Sequence, residues 1–146
     1  MDMRFDTAEF TQKIRDKTKQ IQEATRPAAQ AGAQVIYELA RMKAPMSENA
    51  HIFYGKNSKK TGKKYLFYPG DLKKAIYQVY SKRRSGVNLA TYEISWNPRK
   101  APYGWMVELG TSRAGAQPFL TPAILEGGEE AQRAMKAEFI KRVGST

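Results

Sequence analysis

The chain has no cysteine in 146 residues. That absence excludes disulfides, zinc–thiolate centres and thiol nucleophiles together. It has one histidine, His51. A histidine-based metal site would have to draw its other ligands from carboxylates, and only Glu48 stands nearby in sequence. His51 therefore reads as an ordinary loop or surface imidazole, and no metal or cofactor is expected. Long apolar runs are missing too. No segment reaches the roughly 18 consecutive apolar residues that a membrane-crossing helix needs, so no membrane partner is expected. The N-terminal "MDMRFDTAEF" lacks the apolar centre of a signal peptide, and a cytoplasm-like compartment is the expectation.

Acids are scarce relative to bases. Lys and Arg number 25 against 14 Asp and Glu, a net charge of +11. Such a balance concerns solubility and partners rather than fold, and it suits nucleic acid or an acidic protein surface. It is also uneven: residues 56–84 hold ten Lys or Arg and one acid, Asp71.

A chain of this length is expected to form one domain over 1–146. Asp6 with Glu9 three residues on resembles a capping box, and Phe5 and Phe10 flank it as a hydrophobic staple. Phe10, Ile14 and Ile21, then Ala28, Gly32, Val35, Leu39 and Met42, recur near helical spacing. Pro27 interrupts this stripe and predicts a break or kink; Pro45 ends it. A collinear helix over 7–43 would run about 55 Å. Residues 46–70 read as an inserted β-hairpin. "HIFY" and "KKYLFY" are its strands and the lysine-rich "GKNSKKTGKK" its tip.

Asp71 is placed to cap a short turn, "DLKKAI". "IYQVYSK" and "ATYEISW" alternate as strands, the latter with Tyr92, Ile94 and Trp96 on one face. "RRSGVN" between them is turn-like. "YGWMVELG" reads as a third strand. Thr121 as N-cap and Pro122 at the first helical position predict a last helix running to about Arg142. Its apolar face would carry Ile124, Ala131, Met135 and Phe139, and Gly127 and Gly128 would weaken it by about 1 kcal/mol each. The expected fold is α+β. A long N-terminal helix, kinked near Pro27, and a C-terminal helix pack on a small antiparallel sheet, with the basic hairpin inserted at about 46–70.

Motifs for catalysis are lacking. No nucleophile elbow or phosphate-cradling loop occurs, and "GTSRAG" has neither the spacing nor the following helix of one. Glu93 and Glu108 are the carboxylates that neighbouring strands would bring together. Glu93 alternates opposite to Tyr92 and Ile94, toward solvent. Glu108 sits among Met106, Val107 and Leu109, where a carboxylate needs a partner; an ion pair is the expectation, and no enzyme activity is assigned. Lys59, Lys60, Lys63 and Lys64, aided by Lys82, Arg83 and Arg84, are candidates for phosphate contact. Phe53, Tyr54, Tyr65, Phe67 and Tyr68 interleave with them. These rings suit base stacking and equally suit a hairpin packing on its own body.

Residues 101–124, "APYGWMVELGTSRAGAQPFLTPAI", crowd three glycines and three prolines among aromatics around Glu108. They hold Tyr103, then "VELGT" with Glu108, Gly110 and Thr111, then "QPFLTPA" with Pro118, Phe119, Pro122 and Ala123. Upstream lie Ala44–Pro45 and "PGDLKKAI" at 69–76. In these features the chain resembles the small neck or tail-completion proteins of long-tailed phages, the gene-product-ten-like family of the HK-type lambdoid phages. Two departures stand out: Pro69 where the family carries threonine, and a segment 46–68 much longer than its usual short link. The resemblance implies a virion protein, free in the host cytoplasm during assembly. It would form a homo-oligomeric ring at the neck around the DNA channel, against head connector or stopper and tail terminator or tail-tube proteins. Gly110 would permit a turn, Thr111 satisfy local backbone, Phe119 anchor the loop, and Glu108 take an arginine. The alternative is a free, nonspecific nucleic-acid-binding protein acting as a regulator or packaging accessory.

Overall fold

A computed structural model describes residues 7–54, 58–62, 64–112 and 114–144. Helix α1, Thr7–Lys43, is continuous over 37 residues. Its inward face is built of small residues, with Ala24, Ala28, Gly32 and Ala40 buried. Small side chains let a second helix approach closely, and α5, Leu120–Val143, fills that place. The two run antiparallel. Lys43 Nζ lies 2.5 Å from Glu126 at one end, and Lys17 Nζ donates to the Val143 carbonyl at 2.9 Å at the other. Gly127 is part of this fit, because a Cβ there would collide with Leu39 and Ile36. The glycine that weakens α5 in isolation is what seats it on α1.

Two separate ribbons complete the fold. β1, His51–Tyr54, pairs antiparallel with β2, Lys64–Phe67, across a tip containing the short helix α2, Ser58–Thr61. α3, Asp71–Ala75, leads into β3, Ile76–Tyr80, which pairs antiparallel with β4, Tyr92–Trp96. α4, Gly104–Leu109, then precedes α5. The core lies where α1, α3, β3 and α5 meet: Ala40, Ala44, Leu72, Ala75, Ile76, Ala101, Phe119 and Ala123 are buried together. Phe119 is fully enclosed, its ring centroid 5.7 Å from that of Trp96.

The α+β class, both long helices and the inserted hairpin are as the sequence predicts, and Phe119 does anchor the loop in the core. Several details differ. Of the break or kink expected at Pro27, a break is absent: α1 is continuous through it, with Ala24, Ala28 and Gly32 buried on either side. The antiparallel sheet is two two-stranded ribbons rather than one sheet. "YGWMVELG" is not a strand: its centre is α4, preceded by Tyr103 as N-cap. The chain enters already winding, with Ala101 N donating to Asn97 O at 3.0 Å and Gly104 N to Ala101 O at 3.1 Å. Asp71 is the first residue of α3 rather than its cap; Gly70 holds the cap position, and the Asp71 carboxylate accepts from Tyr68 N at 2.8 Å. α5 starts at Leu120, so Thr121 and Pro122 lie inside its first turn and Phe119 is the N-cap. Phe5, Asp6 and Lys63 lie outside the described residues.

Candidate functional site

The 101–124 block is a folding device centred on Glu108. A helix begins with backbone N–H groups that have no partner within the helix. For α5 these belong to Phe119, Leu120 and Thr121; the next residue, Pro122, has no N–H. Glu108, projecting from α4, satisfies all three. Its Oε2 accepts from Phe119 N at 2.7 Å and Leu120 N at 3.1 Å. Its Oε1 accepts from Thr121 N at 2.9 Å and from the Thr121 hydroxyl at 2.8 Å. The negative charge also faces the positive end of the helix dipole. Burial is the largest single influence on this carboxyl and would raise its pKa. The hydrogen bonds from Phe119, Thr121 and Leu120 together outweigh it and hold the pKa below the ordinary 4.5. Among the described residues, the partners of Glu108 are these backbone amides and the Thr121 hydroxyl rather than an arginine.

The turn between α4 and α5 supports this contact. Gly110 has φ +80°, and a Cβ there would stand 2.7 Å from Ala116 N, so glycine alone fits. Thr111 N donates to Ala114 O at 2.8 Å, and Ala114 N donates back to the Thr111 hydroxyl at 3.1 Å. Gln117 N donates to Val107 O at 2.8 Å and closes the loop. Pro118 is exposed immediately before Phe119. Glu93 does not meet Glu108. It sits 3.7 Å from Arg84 instead, half-exposed on β4.

Tyr103 roots the hairpin. Its ring centroid lies 5.0 Å from those of His51 and Phe67 and 6.2 Å from that of Phe53. His51 is therefore neither in a loop nor a free surface imidazole: it lies on β1, its ring wedged between strand and body. Burial, and then the nearby Asp71 charge, push the Tyr103 hydroxyl above its ordinary pKa of 10.0, against a hydrogen bond from the Leu72 backbone. A cavity of about 360 Å³ opens beside this cluster, between Pro45, Met46, Tyr68 and Tyr103. Phe53 and Phe67 follow the reading in which the hairpin packs on its own body; the parts of His51 and Tyr103 in that packing go beyond it. Strand alternation, which puts His51 and Phe53 on one face, was the signal for His51.

The other hairpin face turns to solvent. Ile52 stands opposite Leu66, and Tyr54 opposite Lys64, whose Nζ lies 6.0 Å from the Tyr54 ring. Lys59 and Lys60 are exposed in the tip, on α2. The second basic group has another root. Lys82, Arg83 and Arg84 are exposed beyond the end of the β3–β4 ribbon. That end is fixed to α1 by Arg26, whose guanidinium stacks 3.9 Å from the Tyr80 ring. The C-terminus of α1, from which residues 44–50 lead to the hairpin, lies about 26 Å along the helix axis from Arg26. The two groups thus stand on different ribbons, the first on β1–β2 and the second beyond β3–β4.

Among the described residues, no three His, Asp or Glu side chains gather as a metal site, and no helix is long and apolar enough to cross a membrane. Compared with known protein families, curated proteins and solved structures, the chain matches none.

Proposed function

We propose that this chain is a structural virion protein of a tailed phage. It is a ring-forming neck or tail-completion component that joins the head connector to the tail and surrounds the DNA channel. The observation that carries this reading is Glu108. The residue at the centre of the phage-like motif spends both carboxylate oxygens on capping α5, so the motif specifies architecture rather than a reaction centre.

The surface supports the same reading. The chain exposes 11141 Å², whereas a compact monomer of 16.5 kDa would expose about 7,600 Å². Among the described residues, Phe119 is the one large side chain enclosed completely, with Leu72 and Ile76 next to it in burial. A long helix pair and a projecting hairpin with so thin a core suit a part that is covered by neighbours. The test is the protein content of gradient-purified particles of the phage that encodes it. A few to about a dozen copies per particle, as closed rings hold, is the expected result, and absence from particles overturns the reading.

The hairpin favours a second reading, a free nonspecific nucleic-acid-binding protein. Tyr54, Tyr65 and Tyr68 are exposed beside Lys59, Lys60 and Lys64, the mixture that stacks on bases and neutralises phosphates. That protein would bind DNA alone, with affinity falling steeply as salt rises; the virion component would bind it weakly.

A further inference from the structure

We propose that the outer face of the β1–β2 hairpin of one copy docks, head to tail, on the outward face of the first half of α5 in a second copy. This deepens the ring-forming reading and rests on it only for closure of the ring.

The two faces are complementary in charge and alike in having an apolar centre. On the hairpin, Ile52 and Leu66 are direct cross-strand partners, each half exposed. Among the described residues, Lys64 lies on the same face and Lys59 and Lys60 stand in the tip beyond it; residues 49–70 hold no acid. On α5, Leu125 is 78% exposed and Ile124 58%. Glu129, one turn on, shares the face of Leu125; Glu126 and Glu130 are exposed on one flank and Ile124 on the other, and residues 114–132 contain no Lys or Arg. Glu126 is engaged by Lys43 and Glu129 by Arg133, both across solvent-exposed carboxylates. Such surface pairs cost little to exchange or extend.

Alternative occupants fit less well. A second hairpin would set lysines against lysines, which excludes a symmetric hairpin-to-hairpin contact. DNA offers phosphates to the lysines but nothing to the Ile52–Leu66 pair at the centre. One copy presents both faces, so the contact is heterologous and repeats from copy to copy, closing into a ring where the rotation permits. The surface exposed beyond that of a compact monomer is ample for two such faces, at about 800 Å² a side.

The cysteine-free chain makes the test direct. Leu66→Cys and Leu125→Cys are substitutions at exposed positions, and circular dichroism checks that the variants fold. Oxidation of the double variant, at high protein concentration and low salt, should give a ladder of covalent multimers. Each single variant should stay monomeric, and an equimolar mixture of the two should stop at the dimer. Adding Lys59→Glu, Lys60→Glu and Lys64→Glu to the double variant should abolish the ladder; mixing that chain with one carrying Leu66→Cys, Leu125→Cys, Glu126→Lys, Glu129→Lys and Glu130→Lys should restore a ladder in which the two chains alternate. A double variant that remains monomeric, a Leu66→Cys variant that links to itself, or a ladder indifferent to the charge changes overturns the docking. Those results leave the virion reading standing, because it is judged on particles; absence from particles removes that reading whatever the ladder shows.

Discussion

Glu108 concentrates the chemistry of the motif in one side chain. Glu108→Gln leaves one acceptor oxygen for donors now shared between two and removes the charge at the helix end, with an expected loss of about 1–3 kcal/mol in chemical unfolding. The pH dependence has a definite sign. The folded pKa lies below the ordinary 4.5, so the stabilisation is fully present above that value and is lost as pH falls through the folded pKa. Wild-type stability should therefore decline more steeply than that of Glu108→Gln from about pH 5 downward; parallel curves would mean the carboxylate contributes no charge-dependent stability. Phe119, one residue before the helix it anchors, is the other critical position. Phe119→Ala removes the enclosed ring that meets Trp96, for an expected cost of about 3–5 kcal/mol by thermal or chemical denaturation.

Among the elements, the long helices and the hairpin were legible because their patterns are local. Apolar spacing marks α1, and alternation brackets a polar tip in the hairpin. α4 was not. Tyr103, Trp105 and Val107 favour strands, yet that preference yields to context. Here the context is a chain already turning from Asn97 and a Trp96 ring lying where a Cβ on Gly104 would be, 2.6 Å from its Cδ1. The capping role of Glu108 was hidden for the same reason. A carboxylate one helix away from the N–H groups it satisfies, 11–13 residues on, leaves no local signal, whereas the Thr121–Pro122 pair imitates a cap. At Pro27 the local rule allowed a break or a kink, and α5 packed along α1 goes with a helix that stays continuous there. The strain should remain as a cost, so Pro27→Ala is expected to stabilise the protein by about 2 kcal/mol, read as a rise in melting temperature. A lower melting temperature would show that the proline is part of the helix fit.

For the whole molecule, charge and shape point outward. Replacing Lys59, Lys60, Lys63 and Lys64 by Ser removes four of the five hairpin lysines. Lys59, Lys60 and Lys64 are exposed, so stability should stay within about 0.5 kcal/mol of wild type. Head–tail joining or DNA retention should nevertheless fall in a plaque or particle assay; normal infectious particles would remove the hairpin lysines from the assembly account. The sequence carried the excess of positive charge and its concentration between residues 56 and 84. It did not carry the division of that charge between two differently rooted ribbons, which depends on Arg26 holding the β3–β4 end against α1. The central claim is that this chain is built into a particle. Quantitative mass spectrometry of gradient-purified phage, with copies counted against portal and tail-tube proteins, measures it directly. The account predicts a fixed, ring-like number of a few to about a dozen copies; a chain missing from particles, and found instead on DNA in salt-dependent binding, would contradict it.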